Sequence, residues 1–395
     1  MSNGHNLHDH SFLGFLPGVL ARQAKSQIKE LFVSSAILDL AVAMILFFEP
    51  IYLYNQGLSL RGIMLFYLGV YLVYFFIMPL GGKFIKRHGF EHSILLGSFL
   101  LILYYLNLAL VAKSFYFLIP AAVFYALQKT FYWPGYHADF ARYGQDGEQG
   151  REVSNITVII SLVFILGPLI GGAVMYFFGF TVLFIMVSLL IILSNIPLIL
   201  TPERFEPSSF SYKGAYSRLF KSENRRRFFA YLGFGEELIA LALWPIFMFA
   251  VLRNTLSTGA VIALATLITA IVVLYIGKLA DQRNKRSLLR FTTIIYSIGW
   301  FIRILSRAPL GIFLLDTFSR IGKNSLSVPL TAITYNHARE RGVVKNVVFF
   351  EMALVVGKVL SIIAVLLILT LVPLNLQWPA IFVLAGLFSL LYSLL

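Results

Sequence analysis

The sequence predicts an all-α integral membrane protein with twelve transmembrane helices arranged as two pseudo-symmetric six-helix bundles. Its composition, its apolar runs and an internal repeat predict this fold class. Hydrophobic residues make up 59% of the 395 positions and charged residues only 13%, about half the charged share of a soluble domain. Apolar runs of roughly 18 to 25 residues recur along the chain, each long enough to cross a hydrocarbon core about 30 Å thick as a helix.

Charged and turn residues divide these runs into twelve predicted spans, six on each side of a polar gap. The runs are too long for the strands of a membrane barrel, which need only about ten residues each. Helices are the remaining structure that satisfies the backbone in lipid. The predicted spans are 31–54, 63–80, 93–111, 115–131, 156–178, 182–200, 228–251, 259–276, 288–305, 310–328, 347–371 and 378–395.

The longest polar stretch, 201–227, separates the two sets of spans and predicts a cytoplasmic linker. The chain therefore divides into an N-terminal segment (1–30), a first bundle (31–200), the linker and a second bundle (228–395). The N-terminal segment has the pattern of an amphipathic helix on the membrane surface, and a partly ordered tail is the alternative.

An internal repeat indicates that the two bundles arose by duplication. Gly82 follows the second predicted span and Gly277 follows the eighth, 195 residues later. Pro134 and Pro329 end the fourth and tenth spans at the same offset. A six-plus-six architecture explains both spacings.

The net charge of +14 is explained by membrane topology. Most of the Lys and Arg residues fall in loops on the side of the N-terminus, so the positive-inside rule places both termini in the cytoplasm. This distribution makes nucleic acid a poor partner and the lipid bilayer the expected one. The first thirty residues lack the long apolar core of a cleavable signal peptide. We therefore expect a multi-pass protein of the cell membrane.

The sequence offers no recognisable catalytic machinery. There is no cysteine, and no P-loop, dinucleotide glycine fingerprint or H-E-x-x-H zinc motif is present in a suitable context. His5, His8 and His10 have spacings compatible with a metal, but an exposed tail lacks the fixed second shell of metal sites. We expect no enzymatic activity, no cofactor and no bound metal, and a monomer.

Two loops in corresponding positions resemble a family signature. Each follows its span with glycine and then basic residues, and both resemble the pattern G-x-x-x-D-[RK]-x-G-[RK]-[RK] of the major facilitator superfamily. In that family the loop charges form a gate on the cytoplasmic side. The matching residues are Gly82, Arg87 and Gly89 in the first loop and Gly277, Asp281 and Arg283 in the second. Lys86 occupies the acidic position of the first loop, and an ordinary solvated loop is the alternative for both.

A second resemblance lies in the fifth span, where Gly167, Pro168, Gly171 and Gly172 match the core of the family's antiporter motif, G-P-x-x-G-G. Proline removes a backbone hydrogen bond and kinks the helix, while glycines admit a neighbouring helix. In the family this motif goes with drug and proton antiporters. The resemblance therefore implies an exporter.

Five charged residues lie near the centres of predicted spans: Asp39, Lys129, Glu236, Glu237 and Asp316. Charge at membrane depth is costly unless it is paired or faces a cavity. In the superfamily the first, fourth, seventh and tenth helices line the central cavity, so the resemblance implies that these residues meet there. Adjacent residues on a helix point about 100° apart, and we expect only one of the two glutamates to face the cavity.

Asp39 is the predicted proton-coupling residue, because a carboxyl group in a low-dielectric cavity can exchange protons near neutral pH. Glu236 or Glu237 could do the same or bind a cation. Lys129 would be their counter-charge or the anchor for an anionic substrate. A static ion pair between Lys129 and one of these acids is the structural alternative.

Other polar residues of the spans receive structural interpretations. Glu351 and Lys358 share a face of the eleventh span and are expected to pack as a pair, while Arg320 and Lys323 are expected to snorkel toward the cytoplasm. His137 follows the fourth span, as either a pH-sensitive gate or part of an ordinary charged loop.

These features predict a secondary transporter that moves a small solute by alternating access, most specifically a proton-coupled exporter. A lipid flippase on the same fold is one alternative, for which an apolar lateral opening would be expected. A membrane receptor or assembly protein that does not transport is the other. The identity of the solute does not follow from the matched motifs.

Overall fold

The computed structural model describes residues 26–143, 149–200, 209–280, 284–306 and 308–395. These residues form helices and short connections, with no strand among them. Helices occupy all twelve predicted positions, which confirms the predicted fold class. Several helices are longer than the apolar runs that predicted them, because polar turns continue the helix beyond the apolar segment.

The first six spans follow the chain in order. The helices are Ser26–Ile45 followed by Glu49–Asn55, then Leu60–His88, Phe90–Leu110, Leu118–Tyr143 and Gln149–Leu200. The last of these contains both the fifth and the sixth span. Gly179 divides them, since its φ of 82° and ψ of 173° interrupt the helical path, and glycine adopts this conformation without steric cost.

The second six spans follow a short linker helix, Tyr212–Leu219. The seventh span is built from short helical pieces within Ser222–Leu252. The remaining helices are Thr255–Ala280, Lys285–Ile302, Pro309–Arg341, Val343–Leu371 and Leu374–Leu390.

Nine stretches of the described residues are long and apolar enough to cross a membrane. One of them, Leu162–Pro197, contains two spans, so the nine stretches account for ten of the twelve spans. The fourth and tenth spans are too polar to be among the nine: the fourth contains Gln128 and Lys129, and the tenth contains Asp316 and Lys323. Their polar residues face other helices and a central cavity.

The glycines of the fifth span allow it to pack closely on the first and eighth spans. A Cβ atom at Gly171 would lie 1.9 Å from the Met44 carbonyl oxygen, and one at Gly167 would lie 2.5 Å from the Ala43 Cβ. At the eighth span, a Cβ on Gly259 would lie 2.4 Å from the Pro168 carbonyl oxygen. The kinked segment 167–172 is therefore a contact between the two sets of six spans.

The linker helix is fixed to the second span at a proline kink. Pro79 lies inside Leu60–His88 and has no N–H, so the carbonyl of Phe75 lacks its usual helical donor. Tyr216 Oη donates to the carbonyl oxygens of Phe75 (3.1 Å) and Phe76 (2.8 Å), and Tyr212 Oη donates to Phe76 (2.5 Å). The linker helix thus satisfies the carbonyls that the kink exposes.

The predicted gating residues occupy different environments. Gly82 is buried, and a Cβ there would lie 2.8 Å from both Phe210 and Val348. Gly89 joins the second and third spans with a φ of 100°, while Arg87 is exposed. Gly277 lies in the helix of the eighth span. Asp281, Arg283 and the three N-terminal histidines lie outside the described residues.

Candidate functional site: the central cavity

A cavity of about 460 Å³ lies between the two sets of six spans. Side chains from the first, second, fourth, seventh, tenth and eleventh spans line it, together with a few from the third and fifth. Aromatic side chains dominate the wall, and charged groups of both signs reach it. The ionisable lining residues other than tyrosine are Asp39, Glu49, Lys129, His137, Glu237, Lys323, Glu351 and Lys358.

Two of the cavity helices are interrupted beside their acidic residues. The first span breaks at residues 46–48, immediately before Glu49 and Pro50. The seventh span contains a π-helical segment, Ile239–Leu243, between Glu237 and Pro245. Proline removes one hydrogen bond in each helix, and π-segments and broken helices recur at transport sites. Both interruptions place a carboxylate at the cavity wall.

Three of the five predicted cavity residues line the cavity: Asp39, Lys129 and Glu237. Lys129 Nζ lies 4.1 Å from the centre of the Tyr125 ring and 5.7 Å from that of Tyr71. In the described part of the chain, neither Asp39 nor Lys129 takes part in an ion pair within 4 Å. The static ion pair that was the alternative interpretation of Lys129 is therefore not formed.

Glu237 pairs with a residue of the eleventh span. Its Oε2 lies 2.7 Å from Lys358 Nζ, and the same ammonium lies 5.3 Å from the centre of the Tyr71 ring. Two of the three cavity lysines, Lys129 and Lys358, therefore approach Tyr71, and of these two only Lys358 has a carboxylate within 4 Å among the described residues.

The prediction that Glu351 and Lys358 pack as a pair is wrong. Seven residues on a helix put them about 10 Å apart along the axis, so each reaches a different helix. Glu351 accepts a hydrogen bond from Tyr74 Oη (2.8 Å) and lies 3.1 Å from His137 Nε2. His137 Nδ1 lies 2.6 Å from Tyr335 Oη. His137 is thus bound to the tenth and eleventh spans and lines the cavity.

Of the two adjacent glutamates only Glu237 lines the cavity, and Glu236, the other candidate, lies outside its lining. Its side chain is fully buried, and its carboxylate contacts Lys323 Nζ (2.5 Å), Tyr296 Oη (2.5 Å) and Tyr392 Oη (3.1 Å). Because successive residues of a helix point about 100° apart, the Glu236 side chain points away from that of Glu237 and packs among the second six spans. Lys323 therefore does not snorkel to the cytoplasm.

The expectation that Asp316 lines the cavity is corrected. Asp316 Oδ2 lies 2.6 Å from Arg320 Nε, and Oδ1 lies 3.4 Å from an Arg303 guanidinium nitrogen. Trp244 Nε1 donates to Asp316 at 2.8 Å, and the Arg303 guanidinium stacks 3.9 Å from the centre of the Trp300 ring. These contacts form a buried cluster that joins the seventh, ninth and tenth spans.

Glu49 is a cavity residue that the sequence did not single out. It is 3% exposed and accepts a hydrogen bond from Tyr67 Oη at 2.8 Å. It lies near the end of the predicted first span, where a charge is commonly placed at the membrane surface. The adjacent Pro50, which predicts a helix break inside an apolar run, was the signal that could have identified it.

The chemistry of the cavity is that of charge recognition. It offers carboxylates, ammonium groups and tyrosine hydroxyls within one aromatic enclosure, which suits binding of a polar solute and transfer of protons. The described residues contain no group of three or more histidine and acidic side chains that could hold a metal ion.

Two solved structures resemble this chain in fold. A solved structure of a POT family transporter in complex with a thioalcohol conjugated peptide superposes with a TM-score of 0.67 at 13% identity, covering 93% of this chain and 94% of that chain. A POT family transporter in complex with 5-aminolevulinic acid gives a TM-score of 0.65 at 14% identity, with the same coverage. These two likenesses show the fold. No curated protein gave a significant sequence match.

The sequence profile described as Major Facilitator Superfamily matches residues 31–344, which is most of the chain. The match extends from the first span through the tenth and includes both signature loops. The chain belongs to the Major Facilitator Superfamily.

Proposed function

We propose that the chain is a secondary transporter that moves a small solute through the central cavity by alternating access, coupled to protons. The observation that carries this proposal is a cavity between two six-helix sets whose wall combines paired and unpaired charges. Unpaired charge at membrane depth is retained where a ligand or proton compensates it. An enzyme is not proposed, because the family is one of transporters.

Asp39 is the proposed proton-coupling residue. It is partly exposed to the cavity, and no basic group of the described residues lies within 4 Å of its carboxylate. Tyr132 and Tyr136 also line the cavity and lie within electrostatic reach of Asp39. A carboxylate without a fixed cation can gain and lose a proton as the cavity opens to either side.

The finer aspects of the proposal rest on the sequence. The kinked segment 167–172 supports export, since it matches the core of the antiporter motif. The basic loops support an orientation with both termini in the cytoplasm of a cell. The division at the linker supports two bundles that rock against each other, and we propose that the transporter acts as a monomer.

The test is solute flux in proteoliposomes with an imposed pH gradient. The solute is first selected by a thermal-shift screen of metabolites and cationic drugs on the purified protein. The proposal predicts gradient-driven flux by the wild type and loss of the gradient's effect in Asp39→Asn, with solute exchange retained. Gradients of opposite sign give the direction. Flux that responds equally to the gradient in Asp39→Asn would remove this residue from the coupling role.

A further inference from the structure

The charged groups of the cavity sort into those with a partner and those without one. Glu237 pairs with Lys358, and Glu351 lies against His137. Lys323 pairs with Glu236, which lies outside the cavity. After these pairs are removed, three ionisable lining groups other than tyrosine have no ion-pair partner within 4 Å among the described residues: Asp39, Glu49 and Lys129.

The side chain of Lys129 faces the cavity. Its side chain is 8% exposed, and its ammonium lies over the Tyr125 ring at 4.1 Å. A tyrosine ring attracts an ammonium by cation–π interaction but leaves its hydrogen-bond donors free for another acceptor. Lys129 therefore presents unused donors to an anionic group in the cavity.

Glu49 is an acidic residue that lines the same cavity as Lys129. Tyr67 donates one hydrogen bond to its Oε1, and the break in the first span holds the residue beside the cavity. Tyr67, Tyr105 and Tyr125 line the cavity together with it. A carboxylate among tyrosine rings is a suitable site for an ammonium group, because both the charge and the ring faces attract it.

Lys129 and Glu49 have opposite charges but do not touch. No ion pair joins them within 4 Å in the described chain, although each lies in the electrostatic field of the other. Both residues line the cavity. A simple anion would compensate only Lys129 and a simple cation only Glu49, whereas a ligand with both charges compensates both.

We infer that the transported solute is a small zwitterion, with its carboxylate or other anionic group bound by Lys129 and its ammonium group bound by Glu49. This inference rests on the proposed transport function and leaves Asp39 free to exchange the proton. It assigns a separate task to each of the three charges without an ion-pair partner.

Binding of matched probes to the purified wild-type protein tests the inference. The probes are 6-aminohexanoate, which has both charges, 6-aminohexanamide, which has only the ammonium, and 6-acetamidohexanoate, which has only the carboxylate. Homologous ω-amino acids of shorter and longer chain cover other separations of the two charges. A charge-assisted contact that is lost weakens binding by about tenfold or more, so the best zwitterion should bind at least about tenfold tighter than either singly charged analogue.

Two variants assign the charges to residues. Lys129→Gln should weaken the zwitterion and the carboxylate probe about tenfold and leave the ammonium probe unchanged. Glu49→Gln should weaken the zwitterion and the ammonium probe and leave the carboxylate probe unchanged. Lys113→Gln, which removes an exposed lysine outside the cavity lining, should change none of the affinities. Thermal unfolding of each variant reports whether it folds. The comparison of the three probes on the wild-type protein does not depend on any variant.

Equal binding of all three types of probe, binding of none of them, or tightest binding of a singly charged probe would overturn the inference. So would a uniform loss for all probes in both variants, which is the pattern of a structural role. Gradient-driven flux of another solute in the same protein would leave the proposed function in place. Failure of every solute of the screen to cross the membrane would instead count against the proposed function.

Discussion

Glu237 and Lys358 form an ion pair of 2.7 Å that joins the seventh span to the eleventh at the wall of the cavity. The carboxylate side chain is 28% exposed and the lysine side chain 10%. The pair therefore neutralises a buried ammonium with a carboxylate that the cavity can reach. Lys358 thus differs from Lys129, whose ammonium has no ion-pair partner within 4 Å among the described residues.

Breaking this pair should destabilise the protein through the lysine that is left behind. Glu237→Gln leaves a buried ammonium uncompensated, and we expect a loss of about 1–3 kcal/mol, below the range of fully buried pairs because the site is partly exposed. The double variant Glu237→Gln/Lys358→Met should be more stable than Glu237→Gln alone. Thermal unfolding in detergent measures this cycle, and effects that simply add would show that the pair is not coupled.

The glycines of the fifth span should be intolerant of a methyl group. In Gly171→Ala the new Cβ would meet the Met44 carbonyl oxygen at 1.9 Å, so the first span must move, at a cost of about 1–3 kcal/mol or more. Gly69→Ala is the matched control, because nothing lies within 4 Å of a Cβ there and alanine favours a helix. We expect a lower melting temperature only for Gly171→Ala. A melting temperature equal to that of the control would contradict the close packing.

Asp316 should behave as a structural residue and Asp39 as a functional one. Asp316→Asn removes the negative charge between Arg303 and Arg320, and leaving buried charge uncompensated costs about 3–5 kcal/mol. Asp39→Asn removes a carboxylate without a fixed cation and should leave the melting temperature nearly unchanged. Both melting temperatures are measured on the purified variants. Equal destabilisation by the two substitutions would show that Asp39, like Asp316, stabilises the fold.

The tyrosines of the linker helix should control its local stability. Tyr216→Phe removes the donor to the carbonyls of Phe75 and Phe76, and a typical hydrogen bond contributes about 0.5–1.5 kcal/mol. The linker helix should open more often, and trypsin should cleave faster at Lys213 and Arg218. Tyr176→Phe, on the exposed face of the fifth span, is the control. Unchanged cleavage of Tyr216→Phe relative to this control would show that the hydrogen bonds do not hold the linker.

The fold was predictable because its main signal is local. An apolar run long enough to cross the bilayer predicts a helix without knowledge of its neighbours, and all twelve runs became helices. The close approach of the fifth span to the first and eighth was predictable in kind from Gly167, Gly171 and Gly172. Which helices they contact required the structure.

The partners of the charged residues were not predictable to the same degree. The choice between Glu236 and Glu237 depends on the rotation of the seventh span, which its π-helical segment and Pro245 alter. Asp316 does not line the cavity, and its carboxylate pairs with Arg303 at the end of the preceding span. Tyr296 and Tyr392, which donate hydrogen bonds to Glu236, lie far from it in the sequence, so no local pattern identifies them. Arg320, four residues after Asp316, could have been identified from the helical spacing alone. The seven-residue separation of Glu351 and Lys358 could have excluded their pairing by distance alone.

We propose that this cavity couples movement of a solute to movement of protons. The most direct test is the pH inside proteoliposomes, followed with a trapped fluorescent indicator while the solute identified by binding is added outside without an initial pH gradient. Proton coupling predicts a change of internal pH with the wild type and none with Asp39→Asn, although solute exchange continues. Solute accumulation by the wild type without any change of internal pH would contradict it.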